Sequence, residues 1–211
     1  WMNNDLNISS NDKILNKTSL MFDVSMWELL LPFYSGCVLI IAEKGKNSDP
    51  EYLCNLIAKY QVSIVHFVPI FLDIAYKVFK KFKFDSIRHI VCSGDVLKSS
   101  TIINTYSLLA KEAIINNYYG PTEAAIDVTH YKCPRFGLER ITPIGKPIWN
   151  TTIFLLNDMQ IVNDCLTPGE LYISGICLAT GYYNSTVLTA DRFALIETSS
   201  RKVRAYKTGD L

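Results

Sequence analysis

The stretch Asn116-Asn117-Tyr118-Tyr119-Gly120-Pro121-Thr122-Glu123-Ala124-Ala125-Ile126-Asp127 decides how this chain is read. The apolar run Ala113-Ile114-Ile115 leads into it as a short buried strand. Gly120-Pro121 ends that strand, because proline has no amide hydrogen for a ladder and glycine tolerates a tight bend. A hydroxyl and a carboxylate, Thr122 and Glu123, follow directly. At the carboxyl end of a parallel strand, where open α/β sheets bind ligands, this set suits a nucleotide. In such a site the tyrosine rings would stack on a base, Thr122 would bond a phosphate oxygen, and Glu123 would hold a Mg²⁺ beside it. Thr-Glu after Gly-Pro, taken alone, reads equally as a polar turn with ordinary capping; the whole string is more specific.

Outward from this stretch the pattern alternates. Residues 1–20 are polar, a loop with at most one short strand. Ser25 and Glu28 form the Ser-x-x-Glu of a capping box, opening a helix that carries Leu30, Leu31 and Tyr34. With Ser25 as the cap, Asp23 is left to point elsewhere. Residues 37–42 read as a buried strand, and Asp49-Pro50 caps a helix with Leu53, Leu56, Ile57 and Tyr60 at helical spacing. A strand over 62–68, a helix to about 81, a strand over 88–92 and a helix over about 99–112 lead back to the central stretch. This alternation predicts an α/β fold, a parallel-type sheet with covering helices. Beyond about residue 128, Pro134, Gly137, Pro143, Gly145, Pro147, Pro168 and Gly169 punctuate short strands, with one helix near 187–193. The expected division is an α/β subdomain over 1–135, carrying the pockets, and a smaller mostly-β subdomain over 136–211.

Composition excludes several classes. The 211 residues are 49% hydrophobic, with 21 basic against 20 acidic side chains, so no electrostatic footprint for nucleic acid or an anionic membrane is present. Lys77, Lys80, Lys81, Lys83 and Arg88 read as the solvated end of a helix. Cysteines 37, 54, 92, 133, 165 and 177 show no CxxC spacing and read as small core residues of a reduced, cytoplasmic protein. His66, His89 and His130 are too scattered for a zinc site, and no apolar run is long enough for a membrane span. Gly-Lys-Ser/Thr and Gly-x-Ser-x-Gly are both missing, which excludes a Walker-type site and a hydrolase elbow.

Four motifs then stand in one order: Phe22-Asp23-Val24-Ser25; Asn117-Tyr118-Tyr119-Gly120-Pro121-Thr122-Glu123; Gly169-Glu170-Leu171-Tyr172-Ile173-Ser174-Gly175 running on to Ala179-Thr180-Gly181-Tyr182-Tyr183; and Tyr206-Lys207-Thr208-Gly209-Asp210-Leu211. Over about its whole length the chain resembles the adenylation domains of nonribosomal peptide synthetases, in the adenylate-forming superfamily. Thr180 departs from the arginine common at its position. The resemblance implies an incomplete N-terminal core, an internal piece without the phosphate-clasping loop that in the family precedes Trp1 and without the C-terminal subdomain that carries a catalytic lysine. Such a piece is expected to be inactive in isolation.

The resemblance also implies roles. Tyr119 stacks on adenine, Asn117 bonds its amino edge, and Gly120 belongs to the same ATP-binding turn. Thr122 contacts a phosphate, Glu123 holds Mg²⁺, and this pair forms the catalytic centre. Asp210 accepts from the ribose hydroxyls, and Asp23 binds a substrate α-ammonium. The implied chemistry is attack of an amino-acid carboxylate on the α-phosphorus of ATP, then transfer to a phosphopantetheine thiol on a carrier domain. Carrier and condensation domains of the same synthetase are the implied partners.

The side-chain pocket would comprise Asp23, Val24, Trp27, His66, Val91, Ser93, Tyr118, Ile126 and Asp127, a set resembling serine-activating domains except that Tyr118 replaces a more usual leucine. Trp27 and Tyr118 narrow such a pocket, and His66, Ser93 and Asp127 offer polar atoms to a short hydroxylated side chain. Each of those three, taken singly, also reads as a satisfied core histidine, a turn serine or a helix-end acid. Two other readings stay open: an acyl- or aryl-CoA ligase of the same superfamily, in which Asp23 has no ammonium to meet, and a non-catalytic nucleotide-binding domain.

Overall fold

Ile14-Leu15, Ile64-Val65 and Ile114-Ile115 are apolar pairs that each open a strand, and the register sets them beside His89-Ile90 in two rows across one sheet. The computed structural model describes residues 1–157, 160–162, 164 and 167–211. Its larger sheet contains β1 (Lys13–Asn16), β2 (Val38–Ile41), β3 (Ile64–Phe67), β4 (His89–Cys92), β5 (Ile114–Tyr119) and β6 (Thr129–Cys133), in the order β2-β1-β3-β4-β5-β6. β1 to β5 are parallel. The helices are α1 (Met2–Asp5), α2 (Val24–Ser35), α3 (Pro50–Tyr60), α4 (Pro69–Phe79) and α5 (Ser99–Tyr106). The expected α/β class is what the chain adopts.

Successive strand residues face opposite sides of a sheet. On one side Leu15, Val65, Phe67, Ile90, Cys92 and Ile115 pack with Leu53 and Ile57 of α3, Leu72 and Phe79 of α4 and Ile102 of α5. Each buried Leu or Phe there contributes about 1.5–3 kcal/mol through apolar area taken from water. Stacking of Phe67 on Phe71, with ring centroids 5.5 Å apart, adds directed aromatic contacts. Alternation puts Asn16, His66, His89, Val91, Asn116 and Tyr118 on the other side, and all of them are buried.

Three expectations are corrected. Strand β2 is a half-exposed edge rather than a buried strand, with Val38 46% and Ile41 65% exposed; an apolar run alone does not distinguish edge from centre. α5 ends at Tyr106 rather than near 112, because Leu108 and Leu109 turn back to bridge Phe84 and join the core. α2 is capped by Asp23, whose Oδ1 accepts from Val24 N at 2.8 Å, and not by Ser25, which lies buried inside the helix. The Asp49-Pro50 start of α3 holds, with Asp49 Oδ1 accepting from Glu51 N and Tyr52 N. Residues 1–20 form α1 and β1, the latter an interior strand.

The chain forms two compact units, 1–119 with 130–145, and 120–129 with 146–211. The sequence places its boundary at 135/136; contacts in the fold group 130–145 with the first unit and 120–129 with the second. The second unit holds a 3-10 turn (Thr122–Ala124), β7 (Lys146–Pro147), β8 (Thr151–Asn157), β9 (Gln160–Ile161), β10 (Glu170–Gly175), α6 (Thr186–Arg192), β11 (Phe193–Glu197) and β12 (Lys202–Lys207). Its antiparallel sheet runs β11-β12-β10-β8-β9 over a small core of Leu156, Tyr172, Ile196 and Ala205.

Cys54, Cys92 and Cys133 are buried thiols, Cys37 and Cys177 are half-buried thiols, and Cys165 lies outside the described residues. Among the described residues no helix is long and apolar enough to cross a membrane.

The buried Tyr106 hydroxyl donates to Cys133 O at 2.5 Å and accepts from Ile115 N at 3.1 Å. Tyr106→Phe leaves both backbone groups without this partner, so it should cost about 1–3 kcal/mol. The urea midpoint should fall with the slope unchanged; an unmoved midpoint would show that the phenol carries no such weight.

Candidate active site

In the first unit the site is built where α2 covers the polar side of the sheet. Glu28 has no exposed surface. Its Oε2 accepts from Asn16 Nδ2 at 2.8 Å, Lys17 N at 3.1 Å and Thr18 N at 3.0 Å, and its Oε1 accepts from Thr18 Oγ1 at 2.6 Å. Burial pushes its carboxyl up, against the pull of those bonds and of Lys17. Lys17 is itself lowered by burial, with Nζ 5.2 Å from the Phe67 ring centroid.

Beside Glu28, His66 Nδ1 lies 4.0 Å from its Oε1, and His66 Nε2 lies 3.0 Å from Ser93 Oγ. The Trp27 ring stands edge-on to His66 at 6.3 Å, and Val91 is the register partner of His66 on β4. Thus Trp27, His66, Val91 and Ser93, expected together, are together. Burial, then the Lys17 charge, holds the His66 pKa down at about 3, so the ring is neutral at pH 7. Ser25 Oγ, Trp27 Nε1 and His66 Nδ1 are buried without a hydrogen-bond partner. Buried polar atoms are rarely left so, and two of these belong to rings in mutual contact.

Asp23 and Val24 are half-buried at the start of α2, with one Asp23 oxygen engaged in capping. The Tyr118 hydroxyl donates to Asp5 Oδ2 at 2.9 Å, and its ring packs 5.2 Å from Trp1. Lys132 Nζ holds the other Asp5 oxygen at 2.9 Å. Asn117 is buried and donates its amide to Pro143 O at 2.9 Å, and Tyr119 is half-buried. Asn116 Nδ2 reaches His89 Nδ1 at 3.3 Å; burial, then Arg88 and Lys132, lowers His89 to about 4.

The turn from 120 to 127 belongs to the second unit. A Cβ on Gly120 would stand 2.4 Å from Ile126 O and 2.7 Å from Asp127 Cα, so only glycine fits. Ala125 and Ile126 have φ of 52° and 81°. For a β-branched residue this is strained, and such strain concentrates at ligand sites. Thr122 is exposed, Glu123 half-buried and Asp127 buried. Ala179 N donates to Glu123 O at 2.8 Å, and the Tyr182 hydroxyl donates to Glu123 Oε1 while lying 3.4 Å from the Tyr206 hydroxyl. Burial alone would raise the Glu123 pKa; bonds from Tyr182, its own backbone and Tyr206 outweigh it and leave it below the ordinary value. Tyr182 is raised by burial and by that carboxylate. Asp210 is exposed at the end of the second unit's sheet, its main chain bonded to Leu171 N and Thr208 Oγ1.

Among the described residues no three His, Cys, Asp or Glu side chains gather to hold a metal. A single ionised carboxylate fits Mg²⁺ nonetheless, since that ion keeps several waters and takes remaining ligands from phosphates. Sequence reasoning missed Asn16 and Lys17, for which it held no spacing signal, and quoted Tyr182 and Tyr206 within motifs without giving them a role. It found Glu28 for another reason, as a cap.

The AMP-binding enzyme family model matches residues 1–183. The chain belongs to that family. Within it, the chain is 36% identical over 223 residues to vanchrobactin synthetase VabF of Vibrio anguillarum, using 100% of this chain and 8% of that protein. It is 35% identical over 221 residues to enterobactin synthase component F of Escherichia coli K12, using 100% of this chain and 17% of that protein. The chain thus spans a small part of these relatives. PA1221, a nonribosomal peptide synthetase protein containing adenylation and PCP domains, superposes with a TM-score of 0.86 at 23% identity, over 97% of this chain and 41% of its own. The fold is that of an adenylation domain's N-terminal part.

Because His66 and His89 are depressed from 6.5 to about 3 and about 4, the unfolded chain binds their protons first as pH falls. Their contribution is full above about pH 6.5 and is lost as pH falls through that value toward about 4 for His89 and about 3 for His66. Stability should decline over that window with a slope of about two protons, and about one in His66→Gln, read from denaturation midpoints against pH. A slope that His66→Gln leaves unchanged would mean His66 is not held neutral.

Proposed function

We propose that this chain forms the amino-acid- and adenine-binding part of an amino-acid-activating ligase, and that its amino acid is L-serine. The observation that carries the reading is the buried His66–Ser93 pair beside Trp27, whose Nε1 is buried without a hydrogen-bond partner. A short hydroxylated side chain fits a wall of that kind, whereas an apolar one would leave it unpaired.

In this reading Asp23 receives the α-ammonium and the amino-acid carboxylate joins the α-phosphorus of ATP as pyrophosphate leaves. No protein nucleophile takes part, so rate comes from positioning and charge. Asn117 and Tyr119 hold adenine, with Gly120 shaping the turn, Thr122 meets a phosphate, and Asp210 the ribose. Glu123 would hold Mg²⁺, which when bound supplies neutralisation of phosphate charge. The lowered pKa of Glu123 supports that role, since it favours the ionised form. Val24, Val91, Tyr118, Ile126 and Asp127 would shape the remaining pocket. The acyl group then passes to a phosphopantetheine thiol on a carrier domain, with a condensation domain as further partner. The similarity to synthetases and to PA1221, which contains a PCP domain, supports these partners. The free thiols suit a reducing cytoplasm.

ATP–pyrophosphate exchange by the intact protein, run with a panel of amino acids, should be highest with serine. Ser93→Ala should lower the serine-over-alanine ratio about 10–100-fold while leaving the ATP requirement in place. A large apolar or charged amino acid outrunning serine would reject the pocket assignment. Glu123→Gln should cut turnover far more than amino-acid affinity, visible as a fall in kcat with a near-constant amino-acid KM.

A further inference from the structure

The two oxygens of Glu28 face different groups, and the difference matters for His66. Oε2 takes three donors: the Asn16 amide and the backbone N–H groups of Lys17 and Thr18. Oε1 takes the Thr18 hydroxyl and lies 4.0 Å from His66 Nδ1, which has no hydrogen-bond partner of its own. On the far side of the ring, Nε2 is 3.0 Å from Ser93 Oγ. A neutral imidazole carries one N–H, and the other nitrogen accepts. Were that hydrogen on Nε2, the Nδ1 lone pair would face a carboxylate oxygen in a water-poor interior. With the hydrogen on Nδ1, the N–H dipole points at the carboxylate instead. Low local dielectric enlarges this difference.

We propose that Glu28 is a positioning residue that fixes His66 as its Nδ1–H tautomer and thereby sets which hydrogen-bonding role the pocket presents. Nε2 then accepts, the Ser93 hydroxyl donates to it, and Ser93 Oγ turns its lone pairs toward the ligand. Such a wall selects a ligand side chain that donates, an O–H, over one of similar size that only accepts, such as the fluorine of 3-fluoroalanine. This selection rests on the reading of His66 and Ser93 as the end of the amino-acid pocket; the tautomer itself does not.

Glu28→Gln gives a directed reversal. Three donors at the Oε2 position demand an acceptor, so the amide oxygen must take that place. The NH₂ group then takes the Oε1 place and presents donors to His66 Nδ1. The ring shifts to Nε2–H, Ser93 becomes the acceptor of that bond, and its hydroxyl hydrogen is freed toward the ligand.

The test has two arms on the intact protein. Long-range ¹H–¹⁵N spectra of histidine-labelled protein, with the His66 signal assigned by its loss in His66→Gln, should show a protonated Nδ1 and a bare Nε2, reversed in Glu28→Gln. In exchange kinetics the serine-over-3-fluoroalanine preference in kcat/KM should fall about 10-fold or more in Glu28→Gln, through the amino-acid KM, with the KM for ATP unmoved. A protonated Nε2 in the wild type overturns the proposal even if the variant does not fold. The expected tautomer in a protein that ignores serine would instead overturn the serine reading and leave the tautomer assignment standing. An unchanged preference in a variant whose tautomer has reversed would refute the link between ring and ligand.

Discussion

A carboxylate with no exposed surface ties the loop after β1 to the helix that covers it. Glu28 satisfies two backbone N–H groups, an amide and a hydroxyl at once. Removing it would strand several donors in the interior, each at a cost of about 1–3 kcal/mol. Parallel sheets are usually apolar on both faces, because helices cover both. Here the α2 side carries Asn16, His66, His89 and Asn116 instead. Such a face is tolerable only if its members bond one another, as Asn16 does with Glu28, Asn116 with His89 and His66 with Ser93. Among the described residues the accounting stays incomplete at Ser25 Oγ, Trp27 Nε1, Asn116 Oδ1 and His66 Nδ1, the last of which faces Glu28 Oε1 at 4.0 Å.

The opposite face was the part most open to reading from sequence. Apolar pairs at regular intervals and a helix start at Asp49-Pro50 are local signals, and the fold follows them. The misreadings have physical reasons too. Ser-x-x-Glu in α2 has the spacing of a capping box, but Glu28 is drawn toward residues 16–18 by donors that local sequence does not reveal. Asp23, two residues before Ser25, then takes the cap. Residues 37–42 look like a central strand because hydrophobicity does not say which neighbour is missing. The pocket positions came from resemblance to a family, and proximity of His66 to Ser93 and Glu28 needed the register of β3 against β4.

Gly120 and Ile126 show how a turn can be specified by one residue and strained by another. Without glycine at 120 the main chain could not approach 126 and 127 so closely, and that approach accompanies the left-handed backbone of Ala125 and Ile126. Glycine at 126 would remove the strain but also the side chain. Keeping a β-branched residue there at a cost of about 1–3 kcal/mol makes sense if the side chain has work that glycine could not do.

Glu28 and Glu123 are held by different chemistry, and the difference separates the roles proposed for them. Glu28 is enclosed, bonded mainly by amides that cannot move away, and burial drives its pKa up. A group so placed has no route to solvent or to an incoming cation, so its influence can only pass through what it already touches, namely His66 and the 16–18 loop. Glu123 is half-buried and bonded by tyrosine hydroxyls, Tyr182 foremost, and the net of its contacts pulls its pKa down. In the proposed role, an ionised and half-buried Glu123 would exchange that hydroxyl for a metal ion without unpairing a backbone group. A rigid buried acid suits the orientation of a neighbour; a half-buried acid held by hydroxyls suits a ligand that must arrive and leave.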